Sequence, residues 1–187
     1  MKKLIGKNIY LRPVLEKDME KFANFMNDFE GTVYTNTISE IYTEKEEREY
    51  FQNDSSRRQF AIIDRIEDKL LGLVELFSIS WVHRVAELGI FIGDPKGRNR
   101  GLGYEAIMLA LDYAFDILNL KTVHLTVSEF NQRGIALYKK CGFQHAGRLR
   151  NHRIFRGRYY DTLYMDILAE EHKSYCLREE LDKIIQE

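Results

Sequence analysis

Cysteine is scarce: Cys141 and Cys176 are the two in 187 residues. They do not fall at a metal-ligand spacing and are too few for a disulfide framework, so neither a cysteine-built metal centre nor a stapled secreted domain is expected. A reducing, cytoplasmic setting is the expectation. Proline is as rare, with two residues, and no repeat, linker or low-complexity tract divides the chain. One domain spanning residues 1–187 is therefore predicted, long enough to bury a sizeable core. No apolar run approaches the ~18 residues of a membrane span, and Met1-Lys-Lys-Leu-Ile leads into Gly-Lys-Asn rather than into a signal-peptide core. Net charge is −1, so no field of one sign draws the chain to nucleic acid.

What is present centres on Asp94-Pro-Lys-Gly-Arg98-Asn99-Arg100-Gly101-Leu102-Gly103-Tyr104-Glu-Ala106. Glu87 to Ile92 before it reads as a buried strand. After it, Ile107, Ala110, Leu111, Ala114, Phe115 and Leu118 form an apolar stripe at helical spacing. A strand thus enters a basic, glycine-punctuated loop that opens a helix. The helix N-terminus offers unpaired N–H groups and positive dipole. Gly101 and Gly103 carry no Cβ to hold a ligand away. Such a loop suits a phosphate or pyrophosphate. Gly101-x-Gly103-x-x-Ala106 fits the dinucleotide fingerprint formally, but eight residues, Gly93 to Arg100, separate strand from Gly101, where that fold enters its glycine turn almost directly. An ordinary turn with a glycine cap is the bland alternative.

Taken in order, Lys7 to Pro13 predicts a strand, Glu16 to Phe29 a helix and Gly31 to Tyr42 a loop. Thr43-x-x-Glu46 is a capping box before a short helix through Tyr50. Arg58 to Asp64, Leu70 to Ser80 and Val85 to Ile92 read as an antiparallel meander, followed by the long helix and a strand at Thr122 to Val127. Gln132 to Lys140 predicts a helix closed by Gly142. Gln144 to Arg150 and Tyr159 to Ile167 predict a hairpin, and 170–186 a last amphipathic helix as a C-terminal extension. The class is α+β, with a mixed, mostly antiparallel sheet of about seven strands flanked by helices.

Two features carry this order into a known family. Arg98-x-x-Gly101-Leu-Gly103 is followed by Asn131-x-x-Gly-Ile-Ala-Leu-Tyr138-Lys-Lys-Cys-Gly142-Phe143. The chain resembles the GNAT-superfamily N-acetyltransferases, and within them the bacterial spermidine N-acetyltransferase and ribosomal-protein N-acetyltransferase branch. The segments Gly72-Leu-Val-Glu75-Leu and Val82-His-Arg84-x-Ala-Glu87 look most like the spermidine enzymes. The resemblance implies a GNAT fold that moves acetyl from acetyl coenzyme A (acetyl-CoA) to a primary amine. It implies coenzyme contacts at Ile90, Phe91 and Ile92, at the loop Arg98, Asn99, Arg100, Gly101, Leu102, Gly103 and Tyr104, and at Asn131. Tyr138 is implied as the general acid. A polyamine such as spermidine is the leading acceptor. Protein N-terminal acetylation is the alternative, and a non-catalytic acyl-CoA-binding interaction protein stands further off.

The chemistry asks for carboxylates as well. An alkyl amine of pKa ~10.4 is neutral in about one molecule in a thousand at pH 7.4, so a nearby carboxylate can attract the ammonium and take its proton. Glu87, at the head of the cofactor strand, is the expected base, acting directly or through water, and Glu75 and Glu87 the expected substrate contacts. Without the resemblance, each also reads as a solvent-facing strand residue, Tyr138 as a core aromatic and Asn131 as an N-cap. The spermidine enzymes carry acids in the loop after the first helix and one more where this chain has Ser78. Here Thr32-Val-Tyr34-Thr-Asn36-Thr is flanked by acids only at Glu30 and Glu40. Arg148, Arg150, His152, Arg153, Arg156 and Arg158, interleaved with Phe155, Tyr159 and Tyr160, could form a nucleic-acid patch, but a solvated hairpin suits the near-zero net charge better. The expected partners are a small amine and other copies of the chain, with no nucleic acid, membrane or metal.

Overall fold

The computed structural model describes residues 4–35, 37–52 and 56–186. Asn36 of the predicted loop lies outside them. A two-residue strand β1 (Leu4–Ile5) precedes β2 (Ile9–Pro13), then a 3₁₀ turn over Glu16–Asp18 and the helices α1 (Met19–Met26), α2 (Phe29–Thr32) and α3 (Glu44–Tyr50). The meander is β3 (Arg58–Asp64), β4 (Leu70–Ser80) and β5 (Val85–Ile92). Helix α4 (Leu102–Asp112) runs into a π-helical turn, Tyr113–Ile117. Then come β6 (Thr122–Ser128), α5 (Gln132–Lys140), β7 (Gln144–Phe155), β8 (Arg158–Leu168) and α6 (Leu177–Gln186).

Among the described residues the strands form one sheet of eight, in the order β1-β2-β3-β4-β5-β6-β8-β7. The strand beyond the expected seven is β1, which pairs Leu4 with Leu11 and Ile5 with Tyr10. All neighbours are antiparallel except β5 and β6. Strand alternation divides the core between the two faces. Phe60 and Ile62 of β3 join the larger cluster with Leu102, Ile107, Leu109 and Leu111 of α4. Ala61 and Ile63 face the other way, into a smaller cluster with Met19 and Phe22 of α1.

Three boundaries differ from expectation. The predicted helix from Glu16 to Phe29 is broken. Arg12 grips Asp18 through two hydrogen bonds of 2.7 and 2.8 Å, Asp18 accepts the Leu15 amide at 2.8 Å, and Asp28, in extended backbone, caps a separate α2 through the amides of Glu30 and Gly31. The last helix begins at Leu177 rather than 170, because its cap comes from Asp112 of α4, which accepts the amides of Tyr175, Cys176 and Leu177 and a bond from buried His172. Strand β7 runs on to Phe155, turning at Arg156 and Gly157, both left-handed at φ 49° and 74°.

The feature that makes room for a site is a split in the sheet. Strands β5 and β6 pair only through Val85–Thr122, Ala86–Val123 and Glu87–His124. Beyond Glu87, β5 follows β4 as far as Ile92–Gly72, while β6 follows β8 as far as Ser128–Thr162. One backbone edge of residues 88–92 is left without a strand neighbour. Gly72 keeps β5 in place here, since a Cβ on it would drive into the Phe91 carbonyl oxygen. Gly72→Ala is accordingly expected to cost roughly 1–3 kcal/mol of stability by overpacking, measured by urea unfolding. A variant as stable as wild type would show that β5 shifts without penalty.

Candidate active site

The loop after β5 is built from short-range caps. Asp94 accepts the Lys96 amide at 2.9 Å, closing a turn over Pro95–Gly97. Asn99 and Gly101 then both adopt left-handed backbone, at φ 60° and 77°. Gly101 occupies the N-cap of α4 without a side chain to cap it. The amides of Leu102, Gly103 and Tyr104 therefore have no intrahelical acceptor and face the dipole's positive end outward. A Cβ at Gly101 would meet nothing within 4 Å, so the space over this turn is open. The cradle fits a pyrophosphate.

The two arginines of the loop are already engaged. Arg98, with its side chain 10% exposed, bonds the carbonyls of Ile92 at 3.2 Å and Gly93 at 2.9 Å and pairs with Asp28 and Glu30 of α2. It ties the exit of β5 to α2. Arg100 pairs with Asp64 at 3.2 Å. Arg98 is held inside the protein, whereas Arg100, half-exposed and engaged through Nη1, keeps donors that can join the backbone amides at a phosphate.

A cavity of about 340 Å³ opens in the split between β5 and β6. The backbone of Leu88, Gly89, Ile90 and Phe91, the end of β6, Asn131 and Tyr138 line it, together with the loop after α2 and the inner face of α3. Asn131 caps α5 through the Gly134 amide at 2.9 Å, and this sets the helix that carries Tyr138. The Tyr138 hydroxyl has no hydrogen-bond partner among the described residues. Burial, with Cys141 nearby, pushes its phenol up to about 12.

Glu75, Phe77, Glu87, Gly89 and Phe91 alternate onto the cavity side of β4 and β5, with Glu75 opposite Gly89 and Phe77 opposite Glu87. Glu87 is half-buried, 3.4 Å from the Thr126 hydroxyl and 3.9 Å from His124 Nε2. Glu75 is spoken for. It accepts from the Tyr50 hydroxyl at 2.6 Å and the Gln59 amide at 3.3 Å, and pairs with Arg57 at 3.5 Å. A third carboxyl, unforeseen from sequence, is Glu47 of α3. It is 3% exposed, lines the cavity and has no side-chain hydrogen bond among the described residues. Burial, helped by Glu46, pushes it up to about 7. Its sequence signal is a glutamate on the same helical face as Tyr50, whose hydroxyl bonds Glu75, and Phe51, which packs on Phe22.

A sequence model of the acetyltransferase (GNAT) domain matches residues 8–144. The chain belongs to the GNAT acetyltransferase family. It is 33% identical to the spermidine N(1)-acetyltransferase of Vibrio cholerae over 172 residues, which is 90% of this chain and 97% of that one. It is 36% identical to the Escherichia coli K12 spermidine N(1)-acetyltransferase over 120 residues, covering 64% of this chain and 63% of the other. A crystal structure of the Vibrio cholerae enzyme in complex with CoA and spermine superposes with a TM-score of 0.80 at 33% identity, over 89% of this chain and 98% of that one. The same Vibrio enzyme in a dodecameric form superposes at 0.75, with 33% identity over 88% and 96% of the two chains.

The split sheet, the glycine turn at the head of α4 and the cavity between them are thus those of a GNAT N-acetyltransferase that uses acetyl-CoA. The GNAT chain brings Tyr138, Glu75, Glu87, Asn131 and the 90–91 backbone around one cavity. Ile92 and the loop 98–104 continue from it along β5 to the head of α4.

Proposed function

We propose that the chain transfers acetyl from acetyl-CoA to a terminal primary amine of a polyamine such as spermidine. The observation that carries this reading is the buried carboxyl of Glu47, unpartnered among the described residues, on the same cavity as Glu87 and Tyr138. A buried cation is costly unless paired, and a polyamine brings a second ammonium that needs its own carboxylate. Glu47 serves that ammonium and Glu87 the reacting one. The similarity to spermidine N(1)-acetyltransferases over most of the chain supports the substrate class.

In the proposed reaction acetyl-CoA lies along the free edge of residues 88–92, with its pyrophosphate on the amides of Leu102, Gly103 and Tyr104. Glu87 receives the ammonium proton, directly or through a water, and the neutral nitrogen attacks the thioester carbonyl. Tyr138 donates a hydrogen bond to the departing sulfur. A cytoplasmic setting is supported by two cysteines left as free thiols. Assembly into homo-oligomers is proposed by analogy with the dodecameric relative.

A coenzyme A release assay over spermidine, spermine, amino acids, aminoglycosides and N-terminal peptides tests the reading. Efficient spermidine turnover is expected, while turnover confined to peptides would assign the chain to N-terminal acetylation. Glu47 adds a pH signature. Its carboxyl titrates near 7, so it is largely neutral at pH 6 and largely charged at pH 8. KM for spermidine is expected to fall several-fold over that rise, and Glu47→Gln to remove this component while kcat changes less. An identical KM profile in the Gln variant would take Glu47 out of substrate binding.

A further inference from the structure

The cavity is also lined by a cation that meets no counter-charge among the described residues. Arg153 sits on β7 just past a bulge. Register is lost between Leu149 and Arg153, where Asn151 is left-handed at φ 50°, and resumes with Arg153 opposite Tyr160. A bulge re-aims the side chains that follow it. Arg150, Arg156 and Arg158 of the same basic series are exposed, and Arg148 pairs with Asp161 at 3.3 Å. Arg153 is instead half-buried and lines the cavity with Glu47, Glu87 and Tyr138.

Its partners are neutral. One guanidinium nitrogen donates to the Ser128 hydroxyl and the other to the Thr35 carbonyl at 2.6 Å. Arg12, Arg57 and Arg98 each meet a carboxylate: Asp18, Glu75, and Asp28 with Glu30. Arg153 has none among the described residues, and burial alone holds its pKa below the ordinary value. Of the five N–H groups a guanidinium presents, the two anchors leave about three. A desolvated cation with free, planar donors matches a carboxylate, which can accept two of them at once. Across the cavity Glu47 offers the opposite charge. A plain polyamine satisfies the carboxyls and leaves Arg153 facing a second cation.

We propose that Arg153 is a carboxylate-recognition residue, and that the acceptor range of this enzyme extends to amines that also carry a carboxylate, the α,ω-diamino acids. The inference rests on the acetyl-transfer reading above. The neutral amine nitrogen forms a bond to the thioester carbonyl carbon, the carbon–sulfur bond breaks, and the amine's proton leaves so that the products are an N-acetyl diamino acid and free coenzyme A thiol. A cavity of about 340 Å³ is of the size that takes such a molecule.

The test compares acceptors that differ only by the carboxylate: lysine against 1,5-diaminopentane and ornithine against 1,4-diaminobutane, with spermidine as reference. Wild type, Arg153→Gln and Arg153→Lys are assayed for kcat/KM. The ratio of diamino acid to matched diamine is expected to fall roughly 10–100-fold in the Gln variant, the loss of a hydrogen bond to a charged group. Recovery of part of that ratio is expected in the Lys variant, which a role confined to anchoring Thr35 would not produce. Turnover of spermidine but not of any diamino acid, or a ratio indifferent to Arg153→Gln, overturns the proposal and leaves the polyamine reading intact. If spermidine is inert as well, the polyamine reading falls. Calorimetry of lysine and 1,5-diaminopentane on the coenzyme A complex then decides: Arg153-dependent preference for lysine upholds carboxylate recognition, and equal binding refutes it.

Discussion

Tyr138→Phe is expected to lower kcat about 10²–10³-fold, the range for losing one hydrogen-bond donor to charge that develops in the transition state, while stability and acetyl-CoA affinity stay near wild type. The substitution removes one hydroxyl that makes no hydrogen bond among the described residues, and leaves the ring against Phe143, 6.0 Å away between centroids. The raised phenol defines what that hydroxyl does. At about 12 it lies well above the thiol of coenzyme A, ~8.5, so complete proton transfer to the sulfur would be uphill. The favourable role is a hydrogen bond that strengthens as negative charge builds on sulfur, with the attacking amine as the final source of the proton. It follows that kcat should show no falling limb from Tyr138 up to about pH 10. A Phe variant with undiminished kcat on the true acceptor would eliminate Tyr138 from the reaction.

Asp112→Ala should be the most destabilising substitution outside the active site. Asp112 and the His172 side chain are fully buried and 2.7 Å apart, and Asp112 also takes the Tyr175, Cys176 and Leu177 amides. Removing the carboxylate strands three amides and the imidazole, at a cost of about 3–5 kcal/mol for a broken buried pair. Burial by itself would raise the Asp112 carboxyl, but His172 and the three amides more than offset it and hold it below the usual value. A carboxyl lowered in the folded state contributes stability that is complete above its unfolded pKa, ~3.9, and is lost as pH falls through the folded one. Urea unfolding at pH 7 and at pH 3 to 4 measures both effects. A loss under 1 kcal/mol at pH 7, or equal acid sensitivity in wild type and variant, would contradict this account.

Elements specified by neighbouring residues were legible in the sequence. The bounds of α3 follow from Thr43 and Glu46, which cap each other at 2.7 and 3.4 Å, and those of α5 from Asn131. Strands β3 and β4 of the meander show as short, near-continuous apolar runs because both of their faces are buried. Elements specified from a distance were not legible. The start of α6 depends on Asp112, more than sixty residues away. The break after α1 depends on which acids turn back to cap. Within the site, strand position placed Glu75 and Glu87 on the cavity side, but not the fact that Arg57, Gln59 and Tyr50 already occupy Glu75. Glu47 was hidden in a helix whose other acids, Glu44, Glu46 and Glu49, are exposed. Arg153 was hidden by a bulge that no local residue pattern announces.

The split between β5 and β6 also gives this sheet two inner edges, residues 88–92 of β5 and 125–128 of β6, in addition to its two outer ones. Open edges are where protein chains add to one another and aggregate. Here the edges are blunted in different ways. The outer strand β1 spans two residues, the outer strand β7 is interrupted by bulges and studded with arginine, and the two inner edges face one cavity. A second polypeptide, with side chains alternating every residue, has no straight approach to any of them, whereas a slender, amide-bearing arm can enter the cavity.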